Sequence, residues 1–308
     1  MKLSFIVPCY NEEKNIPLFF NDVKKSFNNS KYDIEIIFVN DGSKDNTISE
    51  LKKLLINKQY DIKIVNFSKN FGKEAGIYAG LKASSGDYSV LIDADMQQPP
   101  SLVLEMLAAV EKNEEIDIVA YYQEKRIEGK VLSFCKSQFY KIINKITGLD
   151  FVNGASDFRL LKRNVVDAIL QFSEHNRFSK GIFAYIGFNT HYIPYVPEKR
   201  ANGTTSWNFK KLFMYAYSGI LSFSSNPVKL ISKIANFTLV FSIIYLIILI
   251  IFSSLNSFHS IICFILFMFG INFKIISFLG EFVYRGYDES RNRPIYIVKE
   301  VISNEKNN

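Results

Sequence analysis

Short apolar runs alternate with helical patterns over the first 120 residues, and this alternation constrains the fold more than any other feature. The runs are rich in Ile, Val and Phe, as buried strands are, and predict strands at residues 3–7, 34–39, 62–67, 88–92 and 116–120. Helical spacing predicts helices at residues 16–27, 45–55, 72–83 and 101–112. This order predicts an α/β domain with a mainly parallel, Rossmann-like sheet.

Polar loops follow the first four predicted strands. They occupy residues 8–13, 40–43, 68–70 and 93–97. In open parallel sheets, ligands bind beyond the carboxyl ends of the strands, so the four loops are expected to surround one crevice. No Gly-x-Gly-x-x-Gly follows the first strand, which argues against a dinucleotide oxidoreductase.

Asp93 and Asp95, separated by one residue, follow the fourth predicted strand. Alternate side chains of an extended segment point the same way, and two carboxylates together suit a hard divalent cation. Such a cation usually serves a diphosphate. The alternative is a solvated turn, because Asp and Pro are ordinary turn residues.

Two later segments carry charges that a phosphate could meet. Asp157 and Arg159 lie two positions apart in the segment 154–159. They are either a functional pair or a plain structural ion pair. Arg200 begins a polar loop, residues 200–207, that suits an anion clamp. Apolar residues at helical spacing then flank Lys210 and Lys211. They predict a helix on a membrane surface, or one that packs on the catalytic core.

An uncharged stretch separates Lys233 from Lys274, with 40 residues free of Asp, Glu, Lys and Arg. As a single helix it would be roughly twice the thickness of a bilayer core. A polar patch at residues 253–259 divides it, which predicts two antiparallel membrane helices at residues 231–255 and 258–279. A buried helical hairpin of a soluble domain is the alternative.

Basic residues flank the predicted membrane helices, whereas the turn between them has none. Both termini and the large domain are therefore expected in the cytoplasm. The net charge of +7 suits an anionic membrane surface, and no nucleic-acid-binding motif is present. The predicted organisation is a catalytic domain at 1–207, interface helices at 208–230, a transmembrane hairpin at 231–283 and a cytosolic tail at 284–308.

Five segments together resemble the family 2 glycosyltransferases of the polyprenyl-phosphate class, which include bactoprenol glucosyltransferases and dolichol-phosphate mannose synthases. The segments are residues 7–13, 39–43, 93–100, 154–161 and 293–296. The resemblance covers nearly the whole chain. It implies a GT-A domain, Mg²⁺ or Mn²⁺, and inverting transfer of a sugar from a nucleotide-diphosphate sugar to polyprenyl phosphate at the cell membrane. It also implies a homo-oligomer, such as a tetramer, and favours UDP-glucose or UDP-N-acetylglucosamine as donor.

The same resemblance assigns roles to individual residues. The nucleoside is expected at Pro8, Tyr10, Glu12 and Asp41, the metal and diphosphate at Asp93, Asp95 and Gln97, and phosphate oxygens at Arg159 and Arg200. Ser206 is also expected among the residues that bind the nucleotide sugar. Asp157 and Asp95 are the expected catalytic residues. Asp157 would orient the acceptor or act as a modest base, because a phosphate monoester with a second pKa of about 6 is already a nucleophile.

The chain departs from its relatives at two positions. They usually carry Lys-Tyr or Lys-Trp where this chain has Ser206-Trp207, and often an Arg near Gln123. Lys210, Lys211 or Arg126 could supply the missing phosphate contact. A processive polysaccharide synthase would typically show Gln-x-x-Arg-Trp and more membrane spans, which this sequence lacks. A catalytically silent membrane scaffold is the competing class of function.

Overall fold

The structure is a computed structural model that describes residues 1–123, 144, 152, 154–175, 177–195 and 258–304. The chain divides into two compact units. The first comprises Met1–Ala216 with Pro294–Asn308, and the second comprises Tyr217–Arg293. The first unit is an α/β domain, and the described part of the second is a single long helix.

The α/β unit has an eight-stranded sheet in its described residues, in the order β7-β5-β6-β4-β1-β2-β3-β8. Strands β1 to β4 are mutually parallel where they pair, and β7 is parallel to β5. Only β6 and β8 run against their neighbours, so the predicted mainly parallel sheet is confirmed. The strands are β1 (Lys2–Cys9), β2 (Asp33–Asn40), β3 (Asp61–Phe67), β4 (Tyr88–Leu91), β5 (Ile118–Gln123), β6 (Ala155–Lys162), β7 (Thr190–Tyr195) and β8 (Val298–Ser303).

Helices connect the strands as the sequence predicts, and the five strands and four helices predicted within the first 120 residues are all present. The helices of this unit are α1 (Asn15–Phe27), α2 (Thr47–Leu54), α3 (Lys73–Ala83), α4 (Val103–Lys112), α5 (Arg163–Leu170) and α6 (Ser179–Tyr185). A short 3₁₀ helix, Pro100–Leu102, precedes α4. Helix α1 shows the general pattern, since its buried positions Ile16, Phe19, Phe20, Val23 and Phe27 follow the spacing of one helix face.

Helix α3 lies unusually close to the centre of the sheet. A Cβ atom at Gly80 would stand 2.3 Å from Ile6 Cγ2, so only glycine lets the helix backbone approach β1 this closely. The amino end of α3, at Lys73, is thereby placed beside the carboxyl ends of β1 and β4.

The reversed direction of β6 matters for the site. Strand β6 pairs antiparallel with β4, and Leu91 at the end of β4 is opposite Arg159. The start of β6, Ala155 to Asp157, therefore lies beyond the carboxyl end of β4. A segment more than sixty residues later in the chain is thus brought beside Asp93.

The carboxyl-terminal segment differs from the prediction of a separate tail. Residues Val298–Ser303 form β8, an edge strand that pairs antiparallel with β3. Ile302 packs against the hydrophobic core, and the Asn304 side chain accepts a hydrogen bond from Ile62 N–H at 2.7 Å. Partial burial of Glu300 and Ile302 and completion of the edge of the sheet explain why this segment belongs to the α/β unit.

The described part of the second unit is α7, a helix of 33 residues at Phe258–Ser290. It contains the predicted second membrane helix, 258–279, and continues beyond it. Among the helices in the described ranges, none combines the length and apolarity needed to cross a bilayer. The predicted transmembrane hairpin is therefore not confirmed. Its first helix and the predicted interface helix at 208–230 fall outside the described residues.

Candidate active site

The loops after β1 and β2 are joined by hydrogen bonds between side chains and backbone. Asn11 N–H donates to Ser43 Oγ at 3.0 Å, and its side-chain oxygen accepts from Lys44 N–H at 2.9 Å. Glu12 N–H donates to Thr47 Oγ1 at 2.8 Å. Asn11 adopts a positive φ of 57°, a backbone conformation that Asn tolerates better than most residues. These contacts fix the two loops as one rigid wall of the crevice.

Asp41 ties the third loop to this wall. Its carboxylate accepts hydrogen bonds from Phe71 N–H at 2.6 Å and Gly72 N–H at 2.9 Å. Burial raises the pKa of Asp41, and the two backbone donors partly offset that rise. The family resemblance predicts that Asp41 binds the nucleoside. In the structure its two oxygens hold the loop that leads into α3, and contact with a nucleoside stays a prediction.

The backbone approaches closely beside Asp41. Gly42 has a φ of +63°, and a Cβ there would lie 2.4 Å from the carbonyl carbon of Lys69. A side chain at this position would force the second and third loops apart, so the convergence predicted from sequence depends on this glycine.

Tyr296, from the last of the resembling segments, braces the third loop. Its ring stacks on Phe67 with centroids 4.8 Å apart and meets Tyr78 edge-on at 6.3 Å. Ser68 N–H also donates to Ile297 O at 3.0 Å. The segment thus supports the edge of the crevice from behind.

Asp93 and Asp95 lie just past the end of β4, in a turn rather than in extended strand. Asp95 is 9% exposed, and its Oδ1 accepts a hydrogen bond from Gln97 N–H at 3.1 Å. Met96, which follows Asp95, has a positive φ of 61°. The alternation argument used on the sequence therefore does not apply here, although both aspartates remain at the carboxyl edge of the sheet.

Lys73, the first residue of α3, connects the two halves of the crevice. Its Nζ lies 2.8 Å from Asp93 Oδ2 and 3.1 Å from Asp157 Oδ2. The side chains of Lys73 and Asp93 are each 39% exposed, and that of Asp157 is 29% exposed. Together with Pro8, Ile77, Leu91, Ile92 and Phe158, these three residues line a small cleft.

Asp157 is surrounded by positive charge. Besides Lys73, Lys180 of α6 approaches its Oδ1 at 4.0 Å and donates to Ala155 O at 3.2 Å. Burial alone would raise the pKa of Asp157, but Lys73, Lys180 and Arg159 hold it well below its usual range. For Lys73, burial acts to lower the pKa, and Asp93 and Asp157 outweigh it and raise the value. Lys73 and Asp157 are therefore both charged at neutral pH.

Arg159, which the family resemblance predicts to contact a phosphate, is more buried than such a role suggests. The residue is 4% exposed, and its guanidinium lies 3.7 Å from the centroid of the Phe183 ring. Its Nη2 donates to Ser156 O at 2.7 Å. This packing anchors the start of β6, so Arg159 acts on Asp157 through the electrostatic field and through the backbone it supports.

Gln98 links the turn that carries the aspartates to two further strands. Its amide donates to Tyr195 Oη at 2.6 Å and to Ser156 Oγ at 3.3 Å. The turn after β4 is thus attached to β6 and β7. Sequence reasoning did not single out this residue.

The other predicted site residues are distributed as follows. Pro8 lines the cleft, and Tyr10 is 43% exposed at the mouth of the first loop. The Glu12 side chain accepts a hydrogen bond from Asn15 Nδ2 at 2.6 Å. Arg200 and Ser206 lie outside the described residues, as do Arg126, Lys210 and Lys211.

Two lysines of the site were missed from sequence. Lys73 lies three residues beyond the third predicted loop, residues 68–70, at the start of the predicted helix 72–83. A lysine that begins a helix at the carboxyl edge of a sheet was a usable signal. Lys180 gave none, because its approach to Asp157 depends on the packing of α6. Across the described ranges, no group of three His, Cys, Asp or Glu residues is arranged to hold a metal by itself.

Comparison with known proteins agrees with this fold. The family model described as glycosyl transferase family 2 matches residues 4–170. CsbB of Bacillus subtilis (strain 168), named as a glycosyltransferase, is 40% identical over 303 residues, which are 97% of this chain and 91% of that protein. The bactoprenol glucosyl transferase of Shigella phage SfV is 34% identical over 304 residues, or 97% of this chain and 98% of that protein.

A solved structure supports the fold. Mannosyl-3-phosphoglycerate synthase from Rubrobacter xylanophilus superposes with a TM-score of 0.50 at 14% identity, covering 71% of each chain. The chain belongs to glycosyl transferase family 2, and it is a glycosyltransferase with a GT-A-like α/β domain.

Proposed function

We propose that the enzyme transfers a sugar from a nucleotide-diphosphate sugar to a polyprenyl phosphate, with inversion at the anomeric carbon. The observation that carries this proposal is the cluster of Lys73, Asp93 and Asp157 at the carboxyl edge of the sheet. It places acids and a cation where a diphosphate and a second phosphate can meet. The relative named bactoprenol glucosyl transferase, similar along almost its whole length, supports a lipid phosphate as acceptor.

The donor site would begin at the wall formed by the first three loops. Tyr10 offers an exposed ring there, and aromatic faces stack well on nucleoside bases. The loops are already fixed by Ser43, Thr47 and Asp41, so little ordering would accompany nucleotide binding. The proposed donor is UDP-glucose or UDP-N-acetylglucosamine.

The turn after β4 suits a divalent cation that is shared with a diphosphate. Asp93 and Asp95 supply carboxylate oxygens, and Mg²⁺ is commonly held by one or two carboxylates plus substrate phosphates rather than by an all-protein cage. Asp93 already binds a positive charge in the structure, the ammonium of Lys73. Asp93 and Asp95, with Gln97 nearby, would hold Mg²⁺ or Mn²⁺, which stabilises the charge that develops on the leaving nucleotide diphosphate.

Asp157 would act on the acceptor. An oxygen of the lipid phosphate attacks the anomeric carbon while the bond from that carbon to the β-phosphate oxygen breaks, and the nucleoside diphosphate leaves. No strong base is needed, because the acceptor is largely dianionic at neutral pH. The lowered pKa of Asp157 agrees with this, since an acid held ionised by Lys73, Lys180 and Arg159 positions its neighbours better than it removes protons.

The acceptor requires the enzyme to work at a membrane. The uncharged stretch between Lys233 and Lys274 supports two membrane helices, and the basic flanks support a cytoplasmic catalytic domain. Lys274 would lie near the cytoplasmic end of the second helix, where its ammonium can reach the headgroups. Assembly into a homo-oligomer is part of the same proposal.

Mass spectrometry of the lipid fraction tests the function. The detergent-purified chain is incubated with undecaprenyl phosphate, Mn²⁺ and a panel of nucleotide sugars. A single glycosyl phospholipid that disappears with EDTA and in Asp95→Asn is expected, and its mass names the sugar. Absence of any lipid product from a folded enzyme that binds UDP would contradict the proposed acceptor.

A further inference from the structure

Lys73 holds a position at Asp93 that a divalent cation would also need. Its Nζ is 2.8 Å from Asp93 Oδ2, and in the described part of the chain it is the only cationic side chain within 4.0 Å of that carboxylate. The second carboxylate, Asp157, lies 3.1 Å from the same nitrogen. One ammonium thus neutralises two acids that belong to different loops.

The location of this ammonium is costly for the helix that carries it. Lys73 is the first residue of α3, and a positive charge near a helix amino terminus is unfavourable because the macrodipole is positive there. The two carboxylates offset that cost. If they were neutralised by another cation, Lys73 would have reason to leave.

The ion pairs of Lys73 with Asp93 and Asp157 are accessible to other ligands. Asp93, Lys73 and Asp157 keep between 29% and 39% of their side-chain surface exposed. Half-exposed ion pairs are worth little net free energy, so either partner can be replaced at low cost by a stronger ligand. Pro8 and Ile77 line the same small cleft.

We propose that Lys73 is an internal cation that competes with the catalytic divalent ion for Asp93 in the donor-free enzyme and turns to the donor phosphates when the ion and the nucleotide bind together. This inference rests on the proposed function and adds a coupling between metal binding and nucleotide binding. Metal alone must displace Lys73 and leave its ammonium with one carboxylate fewer. Metal with a diphosphate supplies new negative charge for the same ammonium. Metal and nucleotide are therefore expected to bind with positive coupling.

Titration with Mn²⁺ measures this coupling directly. Free Mn²⁺ is followed by electron paramagnetic resonance with the full-length detergent-purified chain, with and without UDP. In Lys73→Met the affinity for Mn²⁺ alone is expected to rise roughly fivefold, the scale of a half-exposed ion pair. The gain in Mn²⁺ affinity on adding UDP is expected to shrink by a similar factor.

Two variants serve as matched controls. Lys73→Arg keeps the positive charge and is expected to keep weak Mn²⁺ binding without UDP. Lys180→Met removes a lysine that approaches Asp157 and not Asp93, so its Mn²⁺ affinity is expected to match the wild type. In an Asp93→Asn background, Lys73→Met is expected to have no effect on Mn²⁺ binding.

Unchanged or weaker Mn²⁺ binding in a folded Lys73→Met, checked by its melting curve, would overturn the competition. So would an equal rise in Lys180→Met, because it would indicate a general loss of positive charge. These titrations involve neither sugar nor lipid. Absence of a lipid product in the transfer assay would therefore count against the proposed function while leaving the competition to be decided by Mn²⁺ alone.

Discussion

The sheet has a cluster of carboxylate and lysine side chains at each end of its parallel strands, and the two clusters are built differently. The end at which the strands begin is called the amino edge, and the end at which they finish is the carboxyl edge. At the amino edge, Glu35 is fully buried, and its oxygens accept hydrogen bonds from Ser4 Oγ and from the N–H and hydroxyl of Ser85. Lys2 and Lys63 approach its Oε1 at 3.4 Å and 3.8 Å. At the carboxyl edge, Asp93 and Asp157 share Lys73 and remain partly exposed.

The difference separates a structural charge from a functional one. Glu35 is held by neutral donors from two segments, at Ser4 and Ser85, and replacing them would require the sheet to open. The pair of aspartates is held mainly by partly exposed lysine side chains, which a metal or a phosphate would be able to replace. Saturation by hydroxyl and backbone donors favours permanence, whereas charge paired with charge at a half-exposed site permits exchange of partners.

Asp157→Asn is expected to have the largest effect on transfer. The rate should fall by about 10²–10⁴-fold, the range for loss of a positioned acid or base, because Lys73 and Lys180 lose their shared anion. The stability should change by no more than about 1 kcal/mol, since the group is partly exposed. Initial rates of lipid-product formation and a melting curve measure the two effects, and an unchanged turnover would remove Asp157 from the mechanism.

Glu35→Gln is expected to reverse that pattern. Loss of charged hydrogen bonds in the interior should lower the free energy of unfolding by about 2 kcal/mol, while the rate per folded molecule stays near that of the wild type. Glu50→Gln is the control, because the Glu50–Lys53 pair lies on the exposed face of α2 and should contribute at most about 0.5 kcal/mol. Denaturant unfolding measures both, and a loss of rate without loss of stability in Glu35→Gln would contradict the comparison.

Acid titration of stability sharpens the contrast further. Burial acts to raise the pKa of Glu35, but the hydrogen bonds from Ser4 and Ser85 and the charge of Lys2 bring it below its ordinary value of 4.5. A lowered folded-state pKa stabilises the fold above the unfolded value, and this contribution is lost as pH falls through the folded value. The stability gap between wild type and Glu35→Gln should therefore be constant near neutrality and shrink below pH 4.5. A gap that widens on acidification would refute this assignment.

Lys2→Met is expected to have the smallest effect. Lys2 pairs with Glu35 and, at 3.1 Å, with Asp61, but it is partly exposed, and Glu35 keeps its neutral donors without it. The loss of stability should be at most about 1 kcal/mol, with no change in transfer rate. The corresponding change at the other edge, Lys73→Met, should reduce transfer clearly. Equal rates in the two variants would erase the distinction between the edges.

The pattern of strands and helices was accessible from sequence because each parallel strand is a short run of buried apolar residues. The convergence of the loops followed from the same pattern, since parallel strands end at one edge. Strand β8 was not found. Its apolar residues Val298, Val301 and Ile302 do not alternate regularly with polar ones, and its partner β3 lies more than 200 residues earlier in the chain.

The cluster itself was only half predictable. Asp93 was predicted from the Asp-x-Asp pair after a strand, and Asp157 from a segment that resembles the family. Lys73, in contrast, lies at an ordinary helix start and contacts Asp157 across 84 residues of sequence. That contact depends on the reversed direction of β6 and on the close packing of α3 at Gly80. Neither is encoded in a local pattern.

Pulsed electron paramagnetic resonance of the Mn²⁺–UDP complex tests most directly whether the carboxyl edge is the donor site. The full-length chain is expected to show coupling between Mn²⁺ and the ³¹P nuclei of UDP. This signal should persist in Glu35→Gln and be lost when Asp93 and Asp95 are both changed to Asn. A ³¹P-coupled signal that survives loss of both aspartates would place the metal and the diphosphate elsewhere and contradict the account.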